Sequence, residues 1–292
     1  MNKKTLCIDQ YFPANPNISP LTAFAQFEAG VEAGMYPFPA TIGRLIGALG
    51  RLGEVDKVHK LCDVAQTVLA SLEHDKKSQS RAWFHIEDQM TIAFAHAGDL
   101  EPAHIPRARM LEQGRAPSAD AYGALIEHVK DTTDDASNAL ALFRESQMHN
   151  VSPNIYLFNN MISKLAKARK ADFALELFQQ MKDSQIQPSS ITYGAVIAAC
   201  ARVGDSYSAE LLFTEMTSQR NFKPRIPPFN TMMQLYTHTK PNRDRVLYYY
   251  NALLKARIRP TAHTYKVSTL VALFTSDLIL LITASPRRIW HH

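Results

Sequence analysis

Residues 155–189 read IYLFNNMISKLAKARKADFALELFQQMKDSQIQPS, and the stretch that follows begins SITYGAVIAACARVGDSYSAELLFTEM at Ser190 and closes on FKPR at Arg225. The two stretches carry one pattern twice. Phe158 and Tyr193, Ala174 and Ala209, Phe178 and Phe213, and Met181 and Met216 each stand 35 residues apart. The closing prolines, Pro188 and Pro224, are 36 apart because the second copy has one extra residue before FKP. Self-similarity at a fixed period of this size marks a repeat array.

Each copy predicts two helices. Phe158, Met161, Ile162 and Leu165 recur at three- and four-residue steps and share one helix face. After a break at Arg169–Asp172, Phe173, Ala174, Leu177, Phe178 and Met181 form a second apolar stripe. Ala166, Ala168 and Ala174 are small enough to let the paired helices approach closely. Pro188 ends the unit, since it cannot continue a helix and drives the preceding residue to extended geometry. A single hairpin of this kind cannot bury both stripes, so it must stack on neighbours. The expected fold is all-α, a right-handed α-solenoid of helix–turn–helix repeats, and the 11 glycines in 292 residues argue against a turn-rich β protein.

With that template the chain divides as follows. Residues 1–21 form an arm. The array spans 22–266, as a half repeat at 22–38, an expanded repeat at 39–83, repeats at 84–118, 119–154, 155–189, 190–225 and 226–261, and the start of another at 262. The polar run EHDKKSQSR (73–81) reads as a loop between units or a solvated face. Repeat 84–118 is irregular: Glu87 stands where the aromatic belongs, Arg107 where a phenylalanine belongs, and Pro106 is expected to kink the second helix. The tail at 267–292 is apolar but interrupted by Asp277, and falls short of the roughly 20 apolar residues of a membrane span. It reads as a capping helix or a non-native end.

The aromatic–Asn and aromatic–Gly openings (FNN, YGA, FNT), the ALELFQQM second helix and the I-x-P-x closings resemble pentatricopeptide repeats, over about 22–266 and most closely over 119–261. The tetratricopeptide family shares the hairpin at 34 residues but wants a tryptophan and a glycine–tyrosine pair in its first helix, and this chain has neither there. Wording over 155–266 is similar to fungal mitochondrial members, including translational regulators. The resemblance implies a non-catalytic protein without cofactor that binds single-stranded RNA, one base per repeat, and works with mitochondrial gene-expression proteins on messenger RNA stability, processing or translation. It also implies a mitochondrial location, although the N-terminus, with Asp9 and no arginine-rich run, is a poor transit peptide.

Members of the family read bases with the residue after the aromatic and the residue after the closing proline. Here those pairs are Asp88 with Ser118, Gly123 with Asn154, Asn159 with Ser189, Gly194 with Arg225, and Asn230 with Thr261. Amide–hydroxyl pairs such as Asn159/Ser189 go with a pyrimidine, cytosine in particular, and Tyr156 and Ile191 occupy matching positions that would sandwich that base. The same residues also read as ordinary helix N-caps, and the two glycines offer no side-chain hydrogen bond.

Charge is uneven. Residues 1–150 hold 14 Lys and Arg against 19 Asp and Glu, a net −5, whereas 151–292 hold 18 against 8, a net +10. A basic half attracts phosphates; basic helix exteriors also keep a solenoid soluble. Other chemistry is scarce. Cys7, Cys62 and Cys200 have no CxxC pairing or nearby histidine at ligand spacing, so they read as reduced thiols and no metal site is expected. There is no GxxxxGK[ST] loop, Asp131, Asp134 and Asp135 read as a solvated turn, and Met161, Met181 and Met216 read as core. No small-molecule substrate is expected. Two function classes stand: an RNA-binding array, and a protein–protein scaffold whose degenerate repeats have lost their bases.

Overall fold

The computed structural model describes residues 19–130, 136–219 and 225–273, and every regular element among them is a helix. The arm before residue 19, with Cys7, lies outside the described residues. So do Asp131, Asp134 and Asp135, Pro224, and the tail beyond residue 273. Two compact units divide the chain: Met1–Asp131 with Ser137–Met161, and Thr132–Ala136 with Ile162–His292.

The first unit holds α1 (Pro20–Glu32), α2 (Pro39–Gly50), α3 (Val55–Ala70), α4 (Lys76–His96), α5 (Leu100–Glu112), α6 (Ala119–His128), α7 (Ser137–Met148) and the opening of α8 (Ile155–Lys167). Helices α2 and α3, α4 and α5, and α6 and α7 pack as hairpins, while the first helices α2, α4 and α6 pack successively on one another. Glycines set the α2–α4 approach. A Cβ on Gly50 would lie 2.3 Å from Ala93 Cα and 2.4 Å from Ala93 Cβ.

The second unit continues with α9 (Ala171–Asp183), α10 (Ser190–Val203), α11 (Ser206–Ser218), α12 (Ile226–Gln234), α13 (Arg243–Lys255) and α14 (Ala262–Leu273). Here α10, α12 and α14 form the row of first helices, and α10 pairs with α11 and α12 with α13. The α12–α13 turn lacks a glycine, and α12 runs instead into a π-helical turn, Leu235–Thr239.

The turns follow a rule finer than the proline. In five repeats the residue three before the closing proline is left-handed: Gly34, Gly114, Asn150, Gln185 and Arg257, ahead of Pro37, Pro117, Pro153, Pro188 and Pro260. There the next amide returns to the helix, as Ile186 N does to Met181 O at 3.0 Å. Gly53, Gly98, Arg169 and Gly204 take the same conformation between the two helices of a hairpin. Glycine adopts it without the Cβ penalty that the non-glycine residues carry.

Ring contacts join one hairpin to the next. Phe143 meets Phe158 at 6.0 Å between centroids, Phe178 meets Tyr193 at 5.2 Å, and Phe213 meets Phe229 at 5.0 Å and 89°. In each pair the first ring lies on a second helix and the other on the first helix of the following repeat. Cys200 is fully buried in α10, where desolvation pushes its thiol up to about 12, and Cys62 is half-buried in α3; both are free thiols.

Two expectations change. The run at 73–81 is a loop only as far as Asp75; from Lys76 it is the start of α4. Asp75 accepts from Ser78 N at 3.1 Å, and Gln79 donates to Leu69 O at 2.9 Å, so a capped and tethered helix forms from polar residues. The misfit at Arg107 is also structured. Its Nε donates to Glu145 Oε1 at 2.9 Å and its Nη2 pairs with Glu145 Oε2, while Tyr122 donates to the same carboxylate at 2.7 Å. An ion-pair network thus stands where other junctions have two rings. Glu87 is 5% exposed, with Arg109 Nη2 2.8 Å from its Oε2 in an ion pair. Burial raises the Glu87 pKa, and the arginine only partly offsets it. Pro106 is accommodated as a buried interior residue of α5. No helix among the described residues is long and apolar enough to cross a membrane.

Two substitutions test this packing by urea denaturation. Gly50→Ala drives a methyl into the Ala93 backbone and should destabilise by ~1–3 kcal/mol. Phe178→Ala removes a 4%-exposed ring and should cost ~3–5 kcal/mol. An unchanged midpoint in either variant would contradict the close approach or the ring contact respectively.

Candidate functional site

The closing prolines Pro117, Pro153, Pro188 and Pro260 are each followed by a serine, asparagine or threonine that starts the next first helix, whereas Pro37 is followed by Phe38. Backbone amides in the first turn of a helix lack intrahelical acceptors, and these polar residues supply them. Ser118 Oγ accepts from Ala121 N at 3.2 Å, and Asn154 Oδ1 from Leu157 N at 2.9 Å. Ser189 Oγ accepts from Ile191 N and Thr192 N at 3.2 and 3.4 Å, with Thr192 Oγ1 accepting Ser189 N at 3.0 Å to complete a capping box. The N-cap reading thus holds at Ser118, Asn154, Ser189 and Thr261, whereas Arg225 makes no side-chain cap bond.

Two of the five expected pairs meet through hydrogen bonds. Asp88 Oδ1 accepts from Ser118 N at 2.7 Å and Oδ2 from Ser118 Oγ at 2.8 Å. Burial outweighs those bonds and raises the Asp88 pKa. Asn230, 8% exposed, accepts through Oδ1 from Thr264 Oγ1 at 2.9 Å. Thr264, fully buried, in turn accepts from Thr261 N at 3.1 Å, so Asn230 and Thr261 are linked through it.

The glycine pairs are built differently. Gly123 is covered by the Tyr156 ring, which a Cβ would strike at 2.5 Å. The Tyr156 hydroxyl donates to Glu127 Oε2 at 2.6 Å, and burial, then that bond, raises its pKa. Asn154 Nδ2 donates to Asp120 Oδ1 at 2.8 Å, and Asn160 Nδ2 to the Gly123 carbonyl at 2.9 Å. Gly194 is half-buried, with Pro228 Cγ 3.4 Å from where a Cβ would stand, and Arg225 is exposed at the start of α12. Asn159 and Tyr156 are half-buried residues of the first unit, while Ser189 and Ile191, the latter 51% exposed, belong to the second.

A feature that periodicity did not reveal lies beside the Asp88–Ser118 pair. A cavity of about 610 Å³ is lined by Phe38, Arg81, Phe84, His85 and Arg115 as well as that pair. The Arg115 guanidinium sits 4.7 Å from the Phe84 centroid. Arg81 belongs to the helical stretch that reads as a polar loop, so its place beside the pair was hidden. Arg115 and Phe38 were legible only as residues flanking closing prolines.

Helical hairpins of about 35 residues, stacked through their first helices and joined by polar junctions, define an α-helical repeat protein. Residues 153–202 match the model described as PPR repeat family, and 191–220 that described as PPR repeat. Over 248 residues the chain is 36% identical to "Pentatricopeptide repeat-containing protein 5, mitochondrial" of Schizosaccharomyces pombe, covering 84% of this chain and 20% of the relative. The crystal structure of PPR10, a maize protein, in complex with an 18-nucleotide psaJ RNA element superposes at a TM-score of 0.54 and 16% identity, over 87% of this chain and 40% of that one. The PPR domain of Arabidopsis thaliana protein-only RNase P 1, solved with tRNA, gives 0.54 and 20% identity over 63% of this chain and 95% of that one. The chain belongs to the pentatricopeptide repeat family. It spans about a fifth of the length of the fission-yeast relative.

Thr264→Val tests the junction, because valine keeps the shape and removes the hydroxyl that serves both Asn230 and Thr261 N. A loss of ~1–3 kcal/mol in urea denaturation is expected; a neutral substitution would show that the junction bonds are not structural.

Proposed function

We propose that the array binds single-stranded RNA and acts, without catalysis of its own, on the stability, processing or translation of mitochondrial messenger RNA. The observation that carries the reading is the junction between repeats, where polar side chains of consecutive repeats meet at Asp88–Ser118, Asp120–Asn154 and Asn230–Thr264. Such junctions suit an unstacked strand read one base per repeat by two or three side chains. Family membership, the net +10 over residues 151–292 and the mitochondrial name of the fission-yeast relative support it. Asn159 with Ser189 is the pair assigned to a pyrimidine, cytosine first, with Tyr156 and Ile191 on either side of the base. Asn230 with Thr261, Gly194 with Arg225 and Gly123 with Asn154 are assigned to neighbouring nucleotides. Mitochondrial gene-expression proteins are the accompanying partners.

A second reading, a protein–protein scaffold, is favoured by two observations: Gly123 is covered by Tyr156, and Asn230 already accepts from Thr264. Fluorescence anisotropy of the full chain with short single-stranded RNAs separates the two. Log affinity should fall linearly with log salt, by ~0.7 for each phosphate neutralised. Asn159→Ala should cost ~1–3 kcal/mol and relax preference at one nucleotide, whereas Tyr156→Ala should weaken binding without altering which base is preferred. Salt-insensitive binding, or an Asn159→Ala protein that is folded and unchanged in affinity and preference, would hand the lead to the scaffold.

A further inference from the structure

His96 is the last residue of α4 and His128 the last residue of α6, and stacking of those first helices sets the two rings face to edge. His96 Nδ1 and His128 Nε2 are 3.2 Å apart. Glu127 completes the group: one ligand atom from each of His96, Glu127 and His128 lies within 4.8 Å of the other two. From these three side chains we infer a site for a divalent transition-metal ion of the zinc type, bound through His96 Nδ1, His128 Nε2 and Glu127.

Three features of the structure agree with that donor set. Two imidazole nitrogens bound to one tetrahedral zinc at ~2.0–2.1 Å must stand about 3.3 Å apart, close to the separation found. Tyr156 donates its hydroxyl to Glu127 Oε2 at 2.6 Å, the kind of outer contact that orients a ligating carboxylate. Both histidines end helices, where the backbone dipole presents its negative pole to a cation. Arg51, at the end of α2, also acts on His96 and opposes a dication; the Glu127 carboxylate acts in the other sense.

Ligation requires both facing nitrogens to be bare. The proton shared across the 3.2 Å contact therefore moves to the other nitrogen of its own ring, so no net proton is released by a neutral pair. Three protein donors leave a further coordination position open, as in an exchangeable rather than a closed zinc site. Occupied, the site would tie the ends of two successive first helices together. The 32-residue separation of His96 and His128 hides it in the sequence; only the repeat stack makes them neighbours.

The test uses the full chain, with zinc chloride titrated against a chromogenic chelator and cobalt chloride as the spectroscopic probe. Wild type is expected to bind one zinc that His128→Asn loses, to gain thermal stability with zinc that His128→Asn does not gain, and to show visible cobalt ligand-field bands that His128→Asn lacks. Glu127→Gln, at an exposed and isosteric position, should weaken zinc without unfolding the chain. Tyr156→Phe, which keeps the ring over Gly123, should weaken zinc by ~10–100-fold. Wild-type zinc stoichiometry and affinity in folded His128→Asn and Glu127→Gln would place the metal on others of the 11 histidines and overturn the site, as would a wild type that binds no zinc.

Discussion

The contact on which the repeats depend is a ring on a second helix set against a ring on the next first helix. A 35-residue hairpin has two apolar stripes and can bury only one internally, so the other must find a neighbour. Phe178 against Tyr193 and Phe213 against Phe229 meet near edge-to-face, where the positive edge of one ring points at the negative face of the other. Such a pair contributes ~0.5–1.5 kcal/mol beyond the area it buries. The gain belongs to the junction, so each hairpin is stable only as part of the stack.

That constraint explains why the Arg107 junction takes the form it does. Tyr122 keeps the ring on the first helix, but arginine replaces its partner, and a guanidinium cannot be buried there without a counter-charge. Glu145, from the second helix of the following repeat, supplies it and also receives the Tyr122 hydroxyl. A related cluster recurs in the second unit without replacing a ring, where Tyr193 and Lys182 both donate to Glu215 Oε1 at 2.8 and 2.5 Å. The tyrosine hydroxyl lets one position serve both chemistries: its ring packs, and its oxygen joins an ionic network. Removing one partner of the Arg107–Glu145 pair would leave a half-buried charge uncompensated, which is why such networks persist as sets.

Legibility in the sequence followed the period. Helix pairs, ring positions and closing prolines were legible because each recurs at 35 or 36 residues and each has a local cause. The αL residue three before the proline was less so: glycine announces it at Gly34 and Gly114, but Asn150, Gln185 and Arg257 adopt it because the stacked helices on either side require that turn. Lys76–Arg81 was misleading for the opposite reason. Its helix is held by a cap at Asp75 and a tether from Gln79, not by an apolar stripe, so periodicity had nothing to detect. At the junctions the residue types were legible as N-caps and as pairs, but not their partners. Thr264 completes the Asn230 cluster from the third position of the next helix, and Tyr156 fills the space above Gly123 from one repeat away.

The junctions therefore start from an occupied state. Asp88 is held by Ser118, and Asn230 by Thr264; under the proposed function a base arriving at Asn230 would exchange one hydrogen bond for another and gain only the difference, which for neutral partners is small. On that proposal, affinity for a strand would come chiefly from phosphate neutralisation and ring stacking, terms indifferent to base identity. Selectivity would arise where a wrong base left the displaced junction group unpaired in a buried setting. The more deeply the junction residue is buried, the larger that penalty becomes. Burial of Asn230, which withdraws it from solvent, is on this account what would make its choice of partner matter.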